Sequence, residues 1–275
     1  MKIALIQQHA TTDKAANLCR GLQALEHAAS QGVALACFAE LAFERFHPQQ
    51  PAADGFRELA ERVPGPTTEC IAARAKALGL VVVMNLFELD GDRCYDTSPV
   101  IDSDGTLLGK TRMMHITNYP CCHEQDYYTP GDTGAPVYNT RFGRLGVAIC
   151  YDRHYPEYMR ALALAGADLV VVPQAGFADE WPDGLFEGEM QVAAFQNGYW
   201  VALVNRVGQE DCVTFAGESF ACSPDGHLVA RAPKGADHVL IVEADLDLAR
   251  NSHARRLFLR DRRPDLYADW VNVSR

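Results

Sequence analysis

The chain has 275 residues, of which 48% are hydrophobic and 22% charged, and its formal net charge is −11 at pH 7. This composition is ordinary for a globular protein, and the acidic balance argues against a nucleic-acid partner or an anionic membrane surface. No apolar run approaches the length of a membrane span, and the N-terminal apolar run is too short for a signal peptide. The nine cysteines are an odd number, so we expect a cytoplasmic protein with mostly free thiols.

Strands and helices alternate through the first half of the chain. Short apolar runs predict strands, and apolar residues at helical spacing predict helices. The predicted elements are strand 2–8, helix 13–30, strand 33–38, helix 68–78, strand 80–86 and hairpin strands near 94–101 and 106–113. The segment 118–134 is rich in aromatic, Pro and Cys residues, and we predict a long irregular loop, which in a compact domain is usually functional.

The second half repeats this order of elements. The predicted elements are strand 145–149, helix 156–165, strand 168–172, loop 173–184, helix 185–197 and strands near 199–205, 212–223, 227–232 and 238–244. No linker-like stretch separates the halves, so we predict one domain over residues 1–275, with two sheets packed face to face and helices outside. Residues 246–275 are predicted to form a charged arm that packs on another surface, such as a second subunit.

Cys150 lies where the strand 145–149 turns toward the next helix. A thiol in a sharp turn at a sheet edge, near free backbone N–H groups, suits a nucleophile. The alternative is a cysteine that only packs, because free cysteine is among the most buried residue types.

Glu40 follows the apolar strand 33–38 in the same way. The ends of parallel strands gather at one edge of a sheet, so we expect Glu40 and Cys150 to lie near each other. Burial would raise the pKa of the Glu40 carboxyl and make it a credible proton shuttle for the thiol. The alternative is a glutamate that caps the next segment.

The segment 109–124 mixes cations, a histidine and an acid. Candidate metal ligands in this segment would be His115, Cys121, Cys122 and His123. However, two adjacent cysteines do not have the spacing that is typical of zinc ligands. We therefore predict neither a metal nor a cofactor.

Several motifs spread over nearly the whole chain carry a family pattern. They are Phe38-Ala39-Glu40-Leu41, Leu108-Gly109-Lys110-Thr111-Arg112 with His115-Ile116, Tyr128-Thr129-Pro130-Gly131-Asp132, Gly143 to Asp152, Pro156-Glu157, Asn205-Arg206-Val207-Gly208 and Phe258 to Tyr267. With these motifs the chain resembles the carbon–nitrogen hydrolase (nitrilase) superfamily, and within it the N-carbamoyl amidases. The resemblance implies a four-layer α-β-β-α sandwich of two mixed sheets with helices outside. It also implies a Cys-dependent hydrolase of a small amide or N-carbamoyl compound, acting through a thioester.

The resemblance also implies roles for individual residues. Glu40 would be the base, Cys150 the nucleophile and Glu124 a second glutamate beside them. The backbone N–H of Tyr151 would supply part of the oxyanion hole. The family's catalytic lysine does not carry over, because its position is occupied by Met113.

A methionine at this position would have two physical consequences. A thioether has no charge and cannot donate a hydrogen bond, and the loss of one oxyanion donor typically costs about 10²–10³ in turnover. Two glutamates without a cation between them cannot both ionise cheaply, so one should hold a proton at neutral pH. A nearby cation (Lys110, Arg112 or Arg153) would take over, or a neutral donor such as His115 would suffice, or the protein would bind ligands without hydrolysing them.

The substrate pocket is predicted to be walled by the loop 117–130 and the segment 173–196. Candidate apolar walls are Tyr119, Tyr127, Phe177, Trp181 and Phe186, each of which would otherwise be plain packing. Glu187 or Glu189 would attract a cationic amine, unless they are solvated helix-face residues. The segment 255–267 resembles the family's C-terminal arm, which implies a homodimer or a larger homo-oligomer.

Overall fold

Two β-sheets stack face to face in the computed structural model, which describes residues 1–271. The strands are β1 (Lys2–Gln7), β2 (Leu35–Phe38), β3 (Val81–Val83), β4 (Leu86–Asp90), β5 (Arg93–Ile101), β6 (Leu107–Arg112), β7 (Asn118–Tyr119), β8 (Cys122–His123), β9 (Val137–Thr140), β10 (Gly143–Val147), β11 (Leu169–Gln174), β12 (Trp200–Asn205), β13 (Val207–Gln209), β14 (Thr214–Ala216), β15 (Phe220–Cys222), β16 (Leu228–Arg231) and β17 (His238–Glu243).

The helices lie mostly outside the sheets. They are α1 (Lys14–Ser30), α2 (Pro66–Leu78), α3 (Glu124–Tyr127), α4 (Pro156–Leu164), α5 (Leu185–Asn197), α6 (Leu246–Arg250) and α7 (Pro264–Val271), with 3₁₀ turns at His47–Gln49, Phe56–Leu59 and Cys150–His154 and a π-helical turn at Ala254–Phe258. Between residues 1 and 271, no helix is both long and apolar enough to cross a membrane.

Both large sheets mix parallel and antiparallel strands. The first sheet has the order β17-β1-β2-β3-β5-β4, with β6 beside β5, and the second has the order β16-β15-β12-β11-β10-β9. In the first sheet β1, β2 and β3 are parallel, and in the second β10, β11 and β12 are parallel. The two parallel centres carry the segments that lead to Glu40 and Cys150.

Alternation of side chains along the strands builds three apolar layers. On β1, Ile3 and Leu5 face the second sheet, whereas Ala4 and Ile6 belong to the cluster under the helices α1 and α2. On the far side, Leu162 and other α4 and α5 side chains cover the second sheet. The predicted sandwich of two mixed sheets between helical layers is therefore confirmed.

Two of the predicted strands are each divided into two strands in the structure. The predicted strand 80–86 is two strands, β3 and β4, because Asn85 between them turns its side chain to the Leu41 N–H, Asp96 and Ser98. The predicted strand 212–223 divides into β14 and β15 at Gly217, whose φ is +73°. A Cβ at this position would lie 2.5 Å from the side-chain nitrogen of Gln7, which is too close for any residue other than glycine.

Two predicted irregular regions contain short regular elements. The loop 118–134 holds the hairpin β7–β8 and the single turn α3, and the arm 246–275 holds α6, the π-helical turn and α7. Residues 272–275 of the predicted arm lie outside the described residues.

Candidate active site

Cys150 begins the 3₁₀ turn that follows β10, and its backbone φ is +42°. A side-chain-bearing residue rarely adopts this conformation, and residues held in it cluster at functional sites. The residue as a whole is partly exposed, and the backbone N–H of Ala175 directly after β11 lies within reach of its sulfur. Burial and the charges of Glu40 and Glu124 raise the pKa of the Cys150 thiol well above its usual range, and the charge of Arg153 opposes them.

Glu40 follows β2 of the opposite sheet and is completely buried. Its carboxyl lies within 4.8 Å of the Cys150 sulfur and of the Glu124 carboxyl. Neither carboxyl oxygen of Glu40 has a hydrogen-bond partner within residues 1–271. Burial, followed by the charges of Asp96 and Glu124, raises the pKa of Glu40 well above the usual value for a glutamate. Glu40 is therefore the carboxyl best placed to exchange a proton with the thiol.

A buried arginine fixes the backbone that carries Glu40. Arg206 is 1% exposed and donates hydrogen bonds to the carbonyls of Glu40 (2.9 Å), Leu41 and Glu44 (2.9 Å). It also forms an ion pair with Glu210. Leu41 has a φ of +44°, so the chain turns sharply directly after Glu40, and Arg206 stabilises that turn.

Glu124 begins the short turn α3 and is almost completely buried. One of its carboxyl oxygens accepts a hydrogen bond from the Thr117 N–H at 3.2 Å, which fixes its orientation. Burial raises the pKa of Glu124 to about 8, with a further contribution from the charge of Asp96, while the Thr117 N–H acts in the opposite direction.

The structure adds a third carboxyl that sequence reasoning missed. Asp96 lies in the middle of β5, is fully buried, and accepts a hydrogen bond from the side-chain amide of Asn85. Besides burial, the charge of Asp96 raises the pKa of the neighbouring Glu40 carboxyl, and burial raises the pKa of Asp96 itself to about 7. The one signal in the sequence is the aspartate itself, because aspartate is depleted in strands.

Met113 borders this group of carboxyls but brings no charge. It is 1% exposed and packs in the apolar layer between the sheets, where Cys150 and Tyr151 also make contact. Its N–H donates to the Asp96 carbonyl at 2.9 Å, and its carbonyl accepts from the Gly131 N–H at 2.7 Å. The Met113 backbone thus joins strand β5 to the loop before β9.

Two of the three predicted substitute cations are engaged elsewhere. Lys110 and Arg112 both form ion pairs with Glu88 on the neighbouring strand β4, and Arg112 pairs also with Asp90 and Asp132. Of the three alternatives open from the sequence, substitution by Lys110 or Arg112 has no support in the structure, because pairing across β4, β5 and β6 brings both cations to Glu88.

Arg153 lies nearer to the thiol but is also held. Its guanidinium donates to the Cys150 carbonyl at 3.1 Å and to the Gln174 side chain at 2.7 Å, and it pairs with Glu189 at 3.2 Å. His115 is bound through Nδ1 to Asp152 at 2.7 Å and stacks on Tyr155, with the ring centres 3.4 Å apart. Both side chains therefore shape the turn after Cys150.

The predicted pocket walls are partly brought together. The rings of Tyr119 and Phe177 lie 6.0 Å apart, and Glu180 joins them by accepting from the Tyr119 hydroxyl (2.9 Å) and the Phe177 N–H (3.1 Å). A cleft of about 60 Å³ next to them is lined by Phe177, Glu180, Trp181 and Phe186 among others. Burial raises the pKa of the Tyr119 hydroxyl, and charges at Cys122, Glu180 and Cys150 raise it further.

Other predicted pocket residues have different roles. Tyr127 packs on Phe56 and Phe87 in an aromatic cluster, which agrees with the packing alternative left open by the sequence. Glu187 pairs with Arg231, and Glu189 pairs with Arg153 and His154. Neither glutamate is a free anion on the helix face.

One group of side chains has the spacing of metal ligands. Glu40, Glu124 and Cys150 each offer one ligand atom, and these atoms lie within 4.8 Å of one another. Within the described part of the chain, this is the group of His, Cys, Asp and Glu side chains that lies close enough to hold a metal ion. A thiolate with two carboxylates is a donor set that zinc accepts. The candidate ligands His115, Cys121, Cys122 and His123 do not form such a group in residues 1–271.

The chain matches the Carbon-nitrogen hydrolase family over residues 2–254. It is 35% identical to N-carbamoylputrescine amidase from Solanum lycopersicum, over 96% of this chain and 93% of that protein. It is similar in structure to a carbon–nitrogen hydrolase from Helicobacter pylori G27, with a TM-score of 0.91, 29% identity and 98% of both chains covered.

A mutant amidase from Nesterenkonia sp. AN1, in which the acetamide moiety of fluoroacetamide is added covalently at the active-site cysteine, is also similar. Its TM-score is 0.82 at 25% identity, with 98% of this chain and 96% of that chain covered. The fold and the family match agree over nearly the whole chain. The protein therefore belongs to the carbon–nitrogen hydrolase family.

Proposed function

We propose that this protein hydrolyses a non-peptide C–N bond in a small amide or N-carbamoyl compound, with Cys150 as the nucleophile and Glu40 as the proton shuttle. The observation that carries the proposal is the group of Glu40, Glu124 and Cys150 within 4.8 Å, in which the Glu40 oxygens have no hydrogen-bond partner within residues 1–271. The relatives named N-carbamoylputrescine amidase support the same class of bond.

The proposed reaction has two halves. Glu40 takes the thiol proton, and the sulfur attacks the carbonyl carbon while the backbone N–H of Tyr151 binds the developing oxyanion. Protonated Glu40 then donates to the leaving nitrogen, so that ammonia or an amine departs and a thioester remains on Cys150. Water, deprotonated by Glu40, attacks the thioester, and the thiol leaves with its proton restored.

Glu124 and Asp96 act in this proposal through Glu40. Three neighbouring carboxyls cannot all ionise cheaply, so Glu124 or Asp96 holds a proton near neutral pH and Glu40 can cycle between its two forms. The pKa values of these groups support that arrangement, because burial raises the pKa of Asp96 to about 7 and that of Glu124 to about 8.

Met113 occupies, in our proposal, the place of the family's catalytic lysine. A specific observation then favours a second function, a ligand-binding protein with little turnover, because the Met113 side chain is apolar and both Lys110 and Arg112 are engaged by Glu88. The hydrolase remains the better supported function, since a strained Cys150 and a buried, unpartnered Glu40 are costly to keep without a reaction.

Intact-protein mass after incubation with a panel of amides and N-carbamoyl compounds tests the proposal. We expect an adduct or product formation that depends on Cys150 and disappears in Cys150→Ser. Cys212→Ser, which removes an exposed thiol, is the matched control. Neither adduct nor turnover with wild-type protein, together with appearance of turnover in Met113→Lys, would support the ligand-binding function instead.

A further inference from the structure

Three buried carboxyls meet in the site, and the described residues supply them with few hydrogen-bond donors. The carboxyls of Glu40, Asp96 and Glu124 are all buried, and both oxygens of Glu40 and one oxygen of Asp96 lack a hydrogen-bond partner within residues 1–271. A buried carboxylate without a donor is strongly unfavourable, so this cluster must bind either protons or a cation.

The nearby cations of the chain do not serve this cluster. Arg206 lies beneath Glu40 but gives its hydrogen bonds to backbone carbonyls and Glu210. Arg153 is held by the Cys150 carbonyl, Gln174 and Glu189. The lysine that the family would place here is absent in our proposal, and Met113 is apolar.

A second, independent observation comes from Tyr128. Its hydroxyl is buried and has no hydrogen-bond partner in the described chain. Burial and the charges of Asp96, Glu40 and Glu124 keep this hydroxyl neutral by raising its pKa, so it can both donate and accept a hydrogen bond. An unpartnered neutral hydroxyl beside unpartnered carboxylates matches a ligand that carries several N–H donors.

We propose that this site accepts an amidinium-type cation, that is an amidine or a guanidine, and hydrolyses its C–N bond in preference to that of a neutral amide. The inference rests on the proposed function in its use of Cys150 and Glu40, and it departs from that function in the group attacked. A planar amidinium presents parallel N–H donors to carboxylates, which is the strongest common geometry for such pairs.

The chemistry explains why a lysine is dispensable for such a substrate. Attack of the Cys150 thiolate on an amidinium carbon forms the S–C bond and moves the C=N electron pair onto nitrogen. The tetrahedral centre is then neutral, so no oxyanion develops and no cationic donor is needed. A lysine ammonium at position 113 would instead repel the bound substrate.

The remaining steps balance with water alone. Glu40 returns the thiol proton to one nitrogen, the C–N bond breaks, ammonia leaves, and a cationic thioimidate (an isothiouronium when the substrate is a guanidine) remains on Cys150. Water adds to that carbon while Glu40 takes its proton. Glu40 passes this proton to the leaving sulfur as the C–S bond breaks, and the protonated product gives its extra proton to ammonia. An amidinium and water thus give an amide and ammonium, and a guanidinium and water give a urea and ammonium.

The bound cation would also restore the base form of Glu40. A positive charge among the three carboxyls lowers their pKa values, which burial and mutual repulsion otherwise raise.

Matched substrate pairs test this inference directly. Acetamidine and acetamide have nearly the same shape, as do methylguanidine and N-methylurea, but only the first of each pair is a cation. We expect kcat/KM for the cation to exceed that for the neutral partner by about 10²-fold, the usual worth of one missing oxyanion donor for the neutral compound. Met113→Lys should reverse the preference, whereas Met114→Lys, whose side chain packs in the outer cluster, should leave it unchanged.

Covalent labelling gives a test on wild-type protein that needs no turnover. Chloroacetamidine should alkylate Cys150 about 10²-fold faster than chloroacetamide, after each rate is divided by its rate with glutathione. Guanidinium ion should slow both reactions. Cys150→Ser should remain unlabelled at this position.

The outcomes separate this inference from the proposed function. Hydrolysis of acetamide without any hydrolysis or preferred labelling by the amidine would overturn the inference and leave the proposed function standing. No Cys150 labelling and no turnover with either class would overturn both. Amidine turnover that is lost after chelation and restored by Zn²⁺ would place a metal among the carboxyls and also overturn the inference.

Discussion

Glu40 and Cys150 lie within 4.8 Å of each other although they follow strands in two different sheets. Leu41, which directly follows Glu40, has a positive φ angle, and so does Cys150 itself. The two strained turns face each other across the apolar layer between the sheets. The sandwich therefore holds the acid and the thiol together from opposite sides, and neither sheet alone would contain the site.

The first prediction concerns the proton shuttle. Glu40→Gln keeps the shape of the side chain but removes its ability to accept a proton, so we expect kcat/KM to fall by about 10²–10⁴-fold. Steady-state kinetics on the best substrate of the panel measures this change. Glu44→Gln is the matched control, because Glu44 is a nearby buried glutamate that pairs with Lys14 and His47. Equal losses in both variants would mean that the effect is structural.

The second prediction concerns stability and pH. Burial raises the pKa of Asp96 from an ordinary 3.8 to about 7 in the folded protein. Between these values the unfolded chain loses a proton that the folded chain keeps, so the contribution of Asp96 to the free energy of unfolding is fully present at low pH and declines as pH rises to about 7. The slope is about 1.4 kcal/mol per pH unit.

Asp96→Asn removes this effect together with the repulsion that Asp96 exerts on Glu40 and Glu124, and both changes have the same sign. The asparagine cannot titrate. The free energy of unfolding of the variant, minus that of the wild type, should therefore increase as pH rises from about 4 to about 7. Urea unfolding curves at several pH values within this window measure the difference. Parallel curves for the two proteins would show that Asp96 titrates normally.

The sequence predicts the sandwich and the neighbourhood of Glu40 and Cys150, because both follow from strand order and strand ends. It reaches Glu124 only through the family resemblance, since that residue begins a single helical turn inside a loop, where periodicity carries no signal. It misses Asp96, which lies in the middle of β5. Whether a side chain in the middle of a strand faces the site depends on tertiary packing, which the sequence pattern does not reveal. It misplaces Lys110 and Arg112, because their pairing with Glu88 depends on the register of β4, β5 and β6.

The third prediction concerns Arg206, which holds the turn after Glu40. Arg206→Met removes the hydrogen bonds to the carbonyls of Glu40, Leu41 and Glu44 and takes from the buried Glu210 one of its two arginine partners, the other being Arg45. We expect the free energy of unfolding to fall by about 3–5 kcal/mol. Denaturant unfolding measures it, and Arg141→Met, at an exposed arginine, should change stability by less than about 0.5 kcal/mol. A small loss at Arg206 would mean that the turn is stable without it.

The last prediction concerns assembly, which follows from the resemblance of the C-terminal arm to that of the family. Phe195 on α5 contacts Phe258 in the π-helical turn, with ring centres 5.5 Å apart, and both rings are exposed, as is Val192. Exposed apolar groups that adjoin each other are typical of a protein interface. We expect a homodimer or a larger homo-oligomer that buries this patch, and Phe195→Glu should weaken it by at least about tenfold in Kd. Light scattering across a dilution series measures the mass, with Leu59→Glu as a control at an exposed leucine in another part of the fold. A monomeric wild type at every concentration would refute the assembly, and an oligomer unaffected by Phe195→Glu would place the interface elsewhere.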